Sequence, residues 1–403
     1  MKVEIDTKFL QEKYGLKEAV RIAFSDKTAR RKQLEWWINR EEELEEWRKI
    51  IMQSVSLERN HMVFIIGSYG RGKTLSLLKV IDEAEKHDEI CICYLNFKGE
   101  EKSKSGLDFL LRVFRSIDFS KLKIGKTAEE LRTAIKSIPG ALGEPRSILE
   151  KIFLDKSDSY QQELFSVKEL GQRSSSELGK LALFFLRGEI KPSPSQLRRL
   201  GIMRRIDTVD IAKEYLSAIL SFIKALGYKT LLLAIDEFEY LFSLVPKSQH
   251  SIYIALLRSL YDFPTGLAWK PGDVANMTFF ISISEDGWDN LKEMEKREAS
   301  IGGPTVPLLD RVDAKTTLGV FDRNHTRELI VKRLKYNRIA HKFENQPLIP
   351  FTEDFVDYIY KQTDGEPRAI VVRCGQVLDA GLADRVPLLN RDFAQRVLEE
   401  RGF

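Results

Sequence analysis

Gly67-Ser68-Tyr69-Gly70-Arg71-Gly72-Lys73-Thr74 follows the apolar run Met62–Ile66 and precedes Leu75-Ser76-Leu77-Leu78, the start of a helical pattern. Strand, glycine-rich loop and helix in that order turn G-x-x-x-x-G-K-[ST] into a phosphate site rather than a flexible turn. Gly67, Gly70 and Gly72 let the backbone curl so that successive N–H groups face the oxygens of a di- or triphosphate. The helix N-terminus adds its partial positive charge. The expected binding residues are Gly67, Ser68, Tyr69, Gly70, Arg71, Gly72, Lys73, Thr74 and Leu75. Lys73 would hold the β- and γ-phosphates, and the Thr74 hydroxyl would ligate Mg2+.

A chain of 403 residues fits two or three domains, each able to bury a core. Charged residues make up 31% and hydrophobic ones 43%, a globular balance rather than a disordered one. The net charge of +4 permits contact with nucleic acid without arguing for it, because such partners show as a local patch. Cys91, Cys93 and Cys374 are odd in number and two alternate inside an apolar run, as buried reduced thiols do. The five histidines are scattered, so no protein-bound zinc is expected. No apolar stretch approaches the ~18–20 residues of a membrane span, and the N-terminus lacks a signal-peptide core. A soluble, cytoplasmic protein is expected.

Residues 1–60 read as an N-terminal helical segment, Phe9–Phe24 and Lys32–Met52. Residues 61–325 read as an α/β core. Strand 62–66, helix 73–86 and strand 89–96 open a parallel sheet. Residues 100–205 carry no strand pattern and read as a helical insertion, with Leu107–Ile117, Ala128–Ser137 and Glu177–Phe185 as helices. Its basic pairs are Arg198-Arg199 and Arg204-Arg205. A helix over 207–226, capped by Asp207 and ended by Gly227, leads to Thr230–Asp236, apolar at every position as a strand covered on both faces must be. A helix over 251–261 and a strand over 277–284 follow. Residues 286–325 read as irregular, and 326–403 as a small helical lid: 326–337, 352–362, 367–382 and 390–400.

Asp236-Glu237 closes an apolar strand at the edge where open α/β sheets bind ligands. Downstream of a phosphate loop, Asp236 suits Mg2+ and Glu237 suits orienting and deprotonating a water. A third strand ending at Ser282 or Ser284 offers a hydroxyl to the γ-phosphate or the water, with Ser284 preferred. Pro367 suits a first helical position, which puts Arg368 in the first turn, able to reach back to the γ-phosphate. Arg311 is placed either to reach a neighbouring subunit's nucleotide or to pair on the surface with Asp310 or Asp313.

Together these residues resemble an AAA+ ATPase of the replication-initiator and STAND-like branch, over about 36–98 and 206–403. The resemblance implies ATP and Mg2+ as cofactors. It implies that Arg40, in Arg40-Glu41-Glu42-Glu43-Leu44, opens the segment lying over the adenine. It also implies that Asn96 restrains the catalytic glutamate. Initiators continue into a winged-helix domain, whereas this chain stops at Phe403, so recognition of duplex DNA in that manner is not implied. Phe185-Leu186-Arg187-Gly188, Leu200-Gly201-Ile202, Asp207 and Ile223–Phe242 are similar to the P-loop ATP-binding proteins encoded with BREX phage-defence systems and superfamily-two helicases. That similarity implies a nucleotide-driven partner of a DNA-processing enzyme.

The resulting expectation is an AAA+-like P-loop NTPase core with a helical insertion and a C-terminal lid. Its catalytic residues would be Glu237, Asp236, Lys73, Ser284, Asn96, Arg311 and Arg368. Its partners would be nucleic acid, directly or through another protein, a helicase or nuclease, and further copies of itself in an ATP-dependent oligomer. The rival expectations are a STAND-type switch that binds ATP and oligomerises with little turnover, and a purely structural nucleotide-binding subunit.

Overall fold

The computed structural model describes residues 7–17, 34–97, 105–154, 177–262, 272–300 and 307–400. The chain divides into two compact units, one of residues 1–44, 66–79 and 317–403, the other of 45–65 and 80–316.

A five-stranded sheet organises the second unit: β1 His61–Ile66, β2 Ile90–Asn96, β3 Thr230–Asp236, β4 Asn276–Ile283 and β5 Ala314–Thr317, in the order β2-β3-β4-β1-β5. β1, β3 and β4 are buried at every residue, which explains why their sequences are apolar throughout instead of alternating. Fully buried aromatics such as Phe64, Phe279 and Phe280 each contribute about 1.5–3 kcal/mol relative to exposure. β2 stands at one edge, and its Ile92, Tyr94 and Asn96 are only half-buried. β3 runs parallel to both neighbours, with Asn96 paired to Asp236 and Ile235 to Ile281.

The sequence between β2 and β3 is helical where described: Gly106–Ser116, Ala128–Ser137, Gly143–Leu154, Glu177–Leu186, Pro194–Leu200 and Val209–Ala225. Ser193 and Thr127 start two of these with reciprocal capping boxes. The last is capped by Thr208, whose hydroxyl accepts from the Ile211 N–H, and not by Asp207. The four insertion arginines differ in their surroundings. Arg204 pairs with Glu144 at 3.1 Å and Glu214 at 2.7 Å, Arg205 donates to the Pro192 carbonyl, and Arg199 lies 3.8 Å from Glu177.

Where described, residues 286–325 are not irregular. Glu285–Ser300 is a helix and Ala314–Thr317 is the edge strand β5. The helix is mostly charged and buries Gly287, Leu291 and Glu295, a stripe one residue wide at spacing four that an apolar-periodicity search does not register. Nor is Lys32–Met52 one helix. A short turn over Leu34–Trp36 gives way to a helix over Glu41–Ser56, with the break at Asn39, whose φ is +47°. The expected helix Phe9–Phe24 falls partly outside the described residues.

The core of the first unit joins helices Arg323–Asn337, Glu353–Thr363, Pro367–Ala383 and Arg391–Glu400 to Leu10, Tyr14 and Leu16. The Tyr14 hydroxyl donates to the Val386 carbonyl at 2.5 Å. The Arg338 guanidinium donates to the carbonyls of Tyr14, Pro347 and Ile349. Cys91 and Cys93 are buried free thiols and Cys374 is half-buried; burial pushes Cys91 up to about 12. Among the described residues no helix is long and apolar enough to cross a membrane.

Candidate nucleotide-binding and hydrolysis residues

β1 ends at Ile66, the loop runs to Gly72, and the next helix spans Lys73–Ala84. Gly70 and Gly72 have φ of +93° and +90°, backbone that only glycine adopts without strain. A Cβ on Gly72 would meet nothing within 4 Å, whereas one on Gly70 would collide with the Glu366 carboxylate. The loop is therefore open at Gly72, as a phosphate cradle must be. Lys73 is buried and its ammonium donates to the Gly67 carbonyl at 2.8 Å. Thr74 is exposed, while Ser68, Arg71 and Leu75 are half-buried.

Arg40 braces this loop. It is 6% exposed, and its guanidinium donates to the carbonyls of Arg71 at 3.0 Å and Gly319 at 3.3 Å. Burial lowers its pKa, and nearby Glu43 partly offsets that. The Arg71 side chain in turn donates to the Leu318 carbonyl, and the Leu318 N–H to the Ile66 carbonyl. Phe321 N–H reaches the Gly365 carbonyl, so the same backbone segment joins the loop to the start of the helix Pro367–Ala383. Pro367 holds that helix's first turn, and Glu366 caps it by accepting from the N–H groups of Arg368 and Ala369. Arg368 lies over the Tyr69 ring, 4.3 Å from its centre.

The acid pair belongs to the second unit. Asp236 is fully buried. Its Oδ1 accepts from the Ser282 hydroxyl at 2.6 Å and from the Glu237 N–H at 3.0 Å, and its Oδ2 accepts from the Tyr94 hydroxyl at 2.9 Å. Glu237 leaves the strand with φ of +55°. Its N–H also donates to the Ser282 hydroxyl at 3.0 Å.

Ser282 thus serves the acid pair, while Ser284 caps the next helix by accepting from the Gly287 N–H. Glu239 accepts from the Ser284 N–H. Asn96 donates to the Tyr94 hydroxyl across a long 3.5 Å. Arg311 forms a two-pronged pair with Asp262 at 2.5 and 2.8 Å and donates to the Pro307 carbonyl, so its bidentate partner is neither of the aspartates weighed from sequence. Tyr94 escaped the sequence reading. Its signal is the spacing of two from Asn96, which on a strand puts both on one face.

A phosphate loop after β1, an acid pair closing β3, a serine on β4 beside it and the sheet order β2-β3-β4-β1-β5 define an AAA+-like P-loop fold. Residues 145–280 match the model of the family "BREX system ATP-binding protein BrxC/D". The match takes in the later insertion helices, β3 and the first part of β4. Similar solved structures include Drosophila ORC bound to DNA, 14% identical over 98% of this chain and 74% of that one, with a TM-score of 0.45. Cdc6p from Pyrobaculum aerophilum is 12% identical over 98% and 71%, with a TM-score of 0.46. The Thermotoga maritima RuvB Holliday junction branch migration motor is 12% identical over 89% and 68%, with a TM-score of 0.37. No curated protein matches the chain.

Proposed function

We propose that the protein hydrolyses ATP with Mg2+ and uses that cycle to assemble or remodel a DNA-processing complex in genome defence or maintenance, beside a helicase- or nuclease-type partner. The observation that favours hydrolysis over binding alone is the backbone of Glu237. A non-glycine residue held at positive φ costs about 1–3 kcal/mol, and here two hydrogen bonds on its N–H maintain it. An acid kept in such a conformation is aimed by the fold.

The residues present fit the ligands. Gly72 opens onto free space, and three hydrogen bonds hold the Asp236 carboxylate in one orientation, which suits a group meant to face a cation. Thr74 and Asp236 would be the metal's ligands, and the metal would supply charge neutralisation for phosphoryl transfer. The remaining steps belong to this chain. The N–H groups of Gly67 to Leu75 and the Lys73 ammonium bind the phosphates. Glu237 orients the attacking water and takes its proton. Arg368 neutralises charge developing at the γ-phosphate, and Arg311 does so for a neighbour's nucleotide in a head-to-tail, ATP-dependent homo-oligomer. Asn96 restrains Glu237, and Ser284 lies at the end of β4 as a further polar group. Residues 61–325 act as the core and 326–403 as the lid, with residues 1–60 as an N-terminal helical segment. A cytoplasmic setting accords with this role.

A slow STAND-type switch is the second reading. It is favoured by Lys73 and Arg368 both being engaged by the loop itself, at Gly67 and Tyr69. Steady-state turnover with and without DNA decides between them, a remodeller being stimulated and a switch slow and indifferent. Lys73→Ala should abolish nucleotide binding, while Glu237→Gln should bind ATP without splitting it. Equal ATP retention and turnover in both variants would overturn the assignment.

A further inference from the structure

We propose that Tyr94 is a positioning residue for Asp236, setting the affinity of the site for the divalent cation that accompanies ATP; this rests on the ATPase reading above. A carboxylate turns readily about its last torsion, which has broad minima, so a fixed orientation needs donors on both oxygens. Asp236 has them from both neighbouring strands. Ser282 on β4 donates to Oδ1 at 2.6 Å and Tyr94 on β2 donates to Oδ2 at 2.9 Å. The Oδ1 side is further occupied by the Glu237 N–H, so Tyr94 is what holds the other oxygen from the edge strand.

The register explains why a tyrosine reaches from two residues upstream. Asn96, not Tyr94, is the in-register partner of Asp236, and Tyr94 pairs with Ala234. Ala234 has no long side chain to block the ring, and the phenol length brings its hydroxyl up to the Asp236 carboxylate. The Asn96 amide then donates to that same hydroxyl at 3.5 Å. This forms a chain Asn96 to Tyr94 to Asp236 in which each member donates to the next, an arrangement whose members polarise one another. Asn96 therefore influences the acid pair through the tyrosine. The ordinary alternative is that Tyr94 simply covers the half-buried face of an edge strand, a role that phenylalanine would fill equally well.

Tyr94→Phe removes the hydroxyl and keeps the ring. In the full chain with a slowly hydrolysed ATP analogue, Mn2+ binding followed by electron paramagnetic resonance should weaken about tenfold. Analogue affinity in EDTA should stay within twofold of wild type. Asn96→Ala should weaken Mn2+ binding less, and the double variant should be no worse than Tyr94→Phe alone, because both act through one hydroxyl. Wild-type Mn2+ affinity in Tyr94→Phe, while Lys73→Ala loses the analogue, would overturn the role of Tyr94 and leave the ATPase reading standing. Absence of nucleotide-dependent Mn2+ binding in the unaltered protein would overturn both.

Discussion

The Arg368 guanidinium lies 4.3 Å from the centre of the Tyr69 ring, which places an arginine from the first turn of the helix Pro367–Ala383 on the glycine-rich loop, while the nearby Glu366 carboxylate stands against Gly70. A cation on an exposed tyrosine face is worth about 0.5–1 kcal/mol. If Arg368 serves the γ-phosphate, binding must draw it off the ring. Tyr69→Leu should therefore bind an ATP analogue about two- to fivefold more tightly, whereas Arg368→Ala should lower kcat on the order of tenfold to a hundredfold. Calorimetry checks the first; weaker binding by Tyr69→Leu would show that the ring assists nucleotide rather than competing for the arginine.

Arg40 ties two backbone carbonyls, Arg71 and Gly319, from a buried position. Removing a charged donor of that kind costs about 1.5–3 kcal/mol. Arg40→Ala should lose stability on that scale in urea and weaken nucleotide binding by loosening the loop. Arg40→Lys should not restore it, since the Nη2 that serves both carbonyls lies one bond further out than a lysine Nζ, and an ammonium has no second nitrogen to face Glu43 as Nη1 does. Full stability in the lysine variant would assign Arg40 a simple charge role.

Arg311 offers a test of assembly. Mixed Lys73→Ala and Arg311→Ala proteins should regain turnover over either alone if Arg311 acts on a neighbour, because some interfaces then pair an intact loop with an intact arginine. No recovery would leave Arg311 as the partner of Asp262, with which it forms a two-pronged pair.

Within the insertion, Arg204 is already matched by Glu144 and Glu214. It should contribute little to phosphate binding. If the insertion contacts DNA, Arg198→Ala with Arg199→Ala should reduce the salt slope of binding by up to about 2, while Arg204→Ala should leave the slope unchanged and lower the melting temperature. A slope that moves only with Arg204 would place the contact on the 204–205 turn instead.

Asp313 sets a pH dependence. Burial would raise its pKa, but the His61 ring 3.3 Å away, the Met62 N–H bond and the Arg59 charge outweigh that and hold it below the usual carboxylate range. A depressed folded pKa contributes stability that is present above the unfolded value, near 4, and is lost as pH falls through the folded one. Asp313→Asn should therefore lose stability at pH 7 and approach the unaltered protein below about pH 3. Equal destabilisation at both pH values, read from melting temperatures, would remove the ionic contribution.

Local chemistry fixed the parts that were legible in the sequence. The phosphate loop was visible because glycines at positive φ and an adjoining lysine are needed there whatever surrounds them. β3 and β4 were visible because a strand covered on both faces must be apolar throughout. Glu285–Ser300 was hidden because its charged surface buries so narrow a stripe, and β5 because four residues alternating in burial are too short to carry a pattern. The partners of side chains depended on the tertiary structure. Ser282 and Ser284 are equivalent strand-end serines in sequence, and only the pairing of β4 with β3 points one at Asp236 while the other caps a helix. Tyr94 became part of the acid pair's surroundings through the register of β2 on β3, a contact between residues whose sequence separation carries no local signal. Arg311 met Asp262 and Arg40 met Gly319 for the same reason: a sequence states which groups a chain carries, and packing of distant elements determines which of them meet.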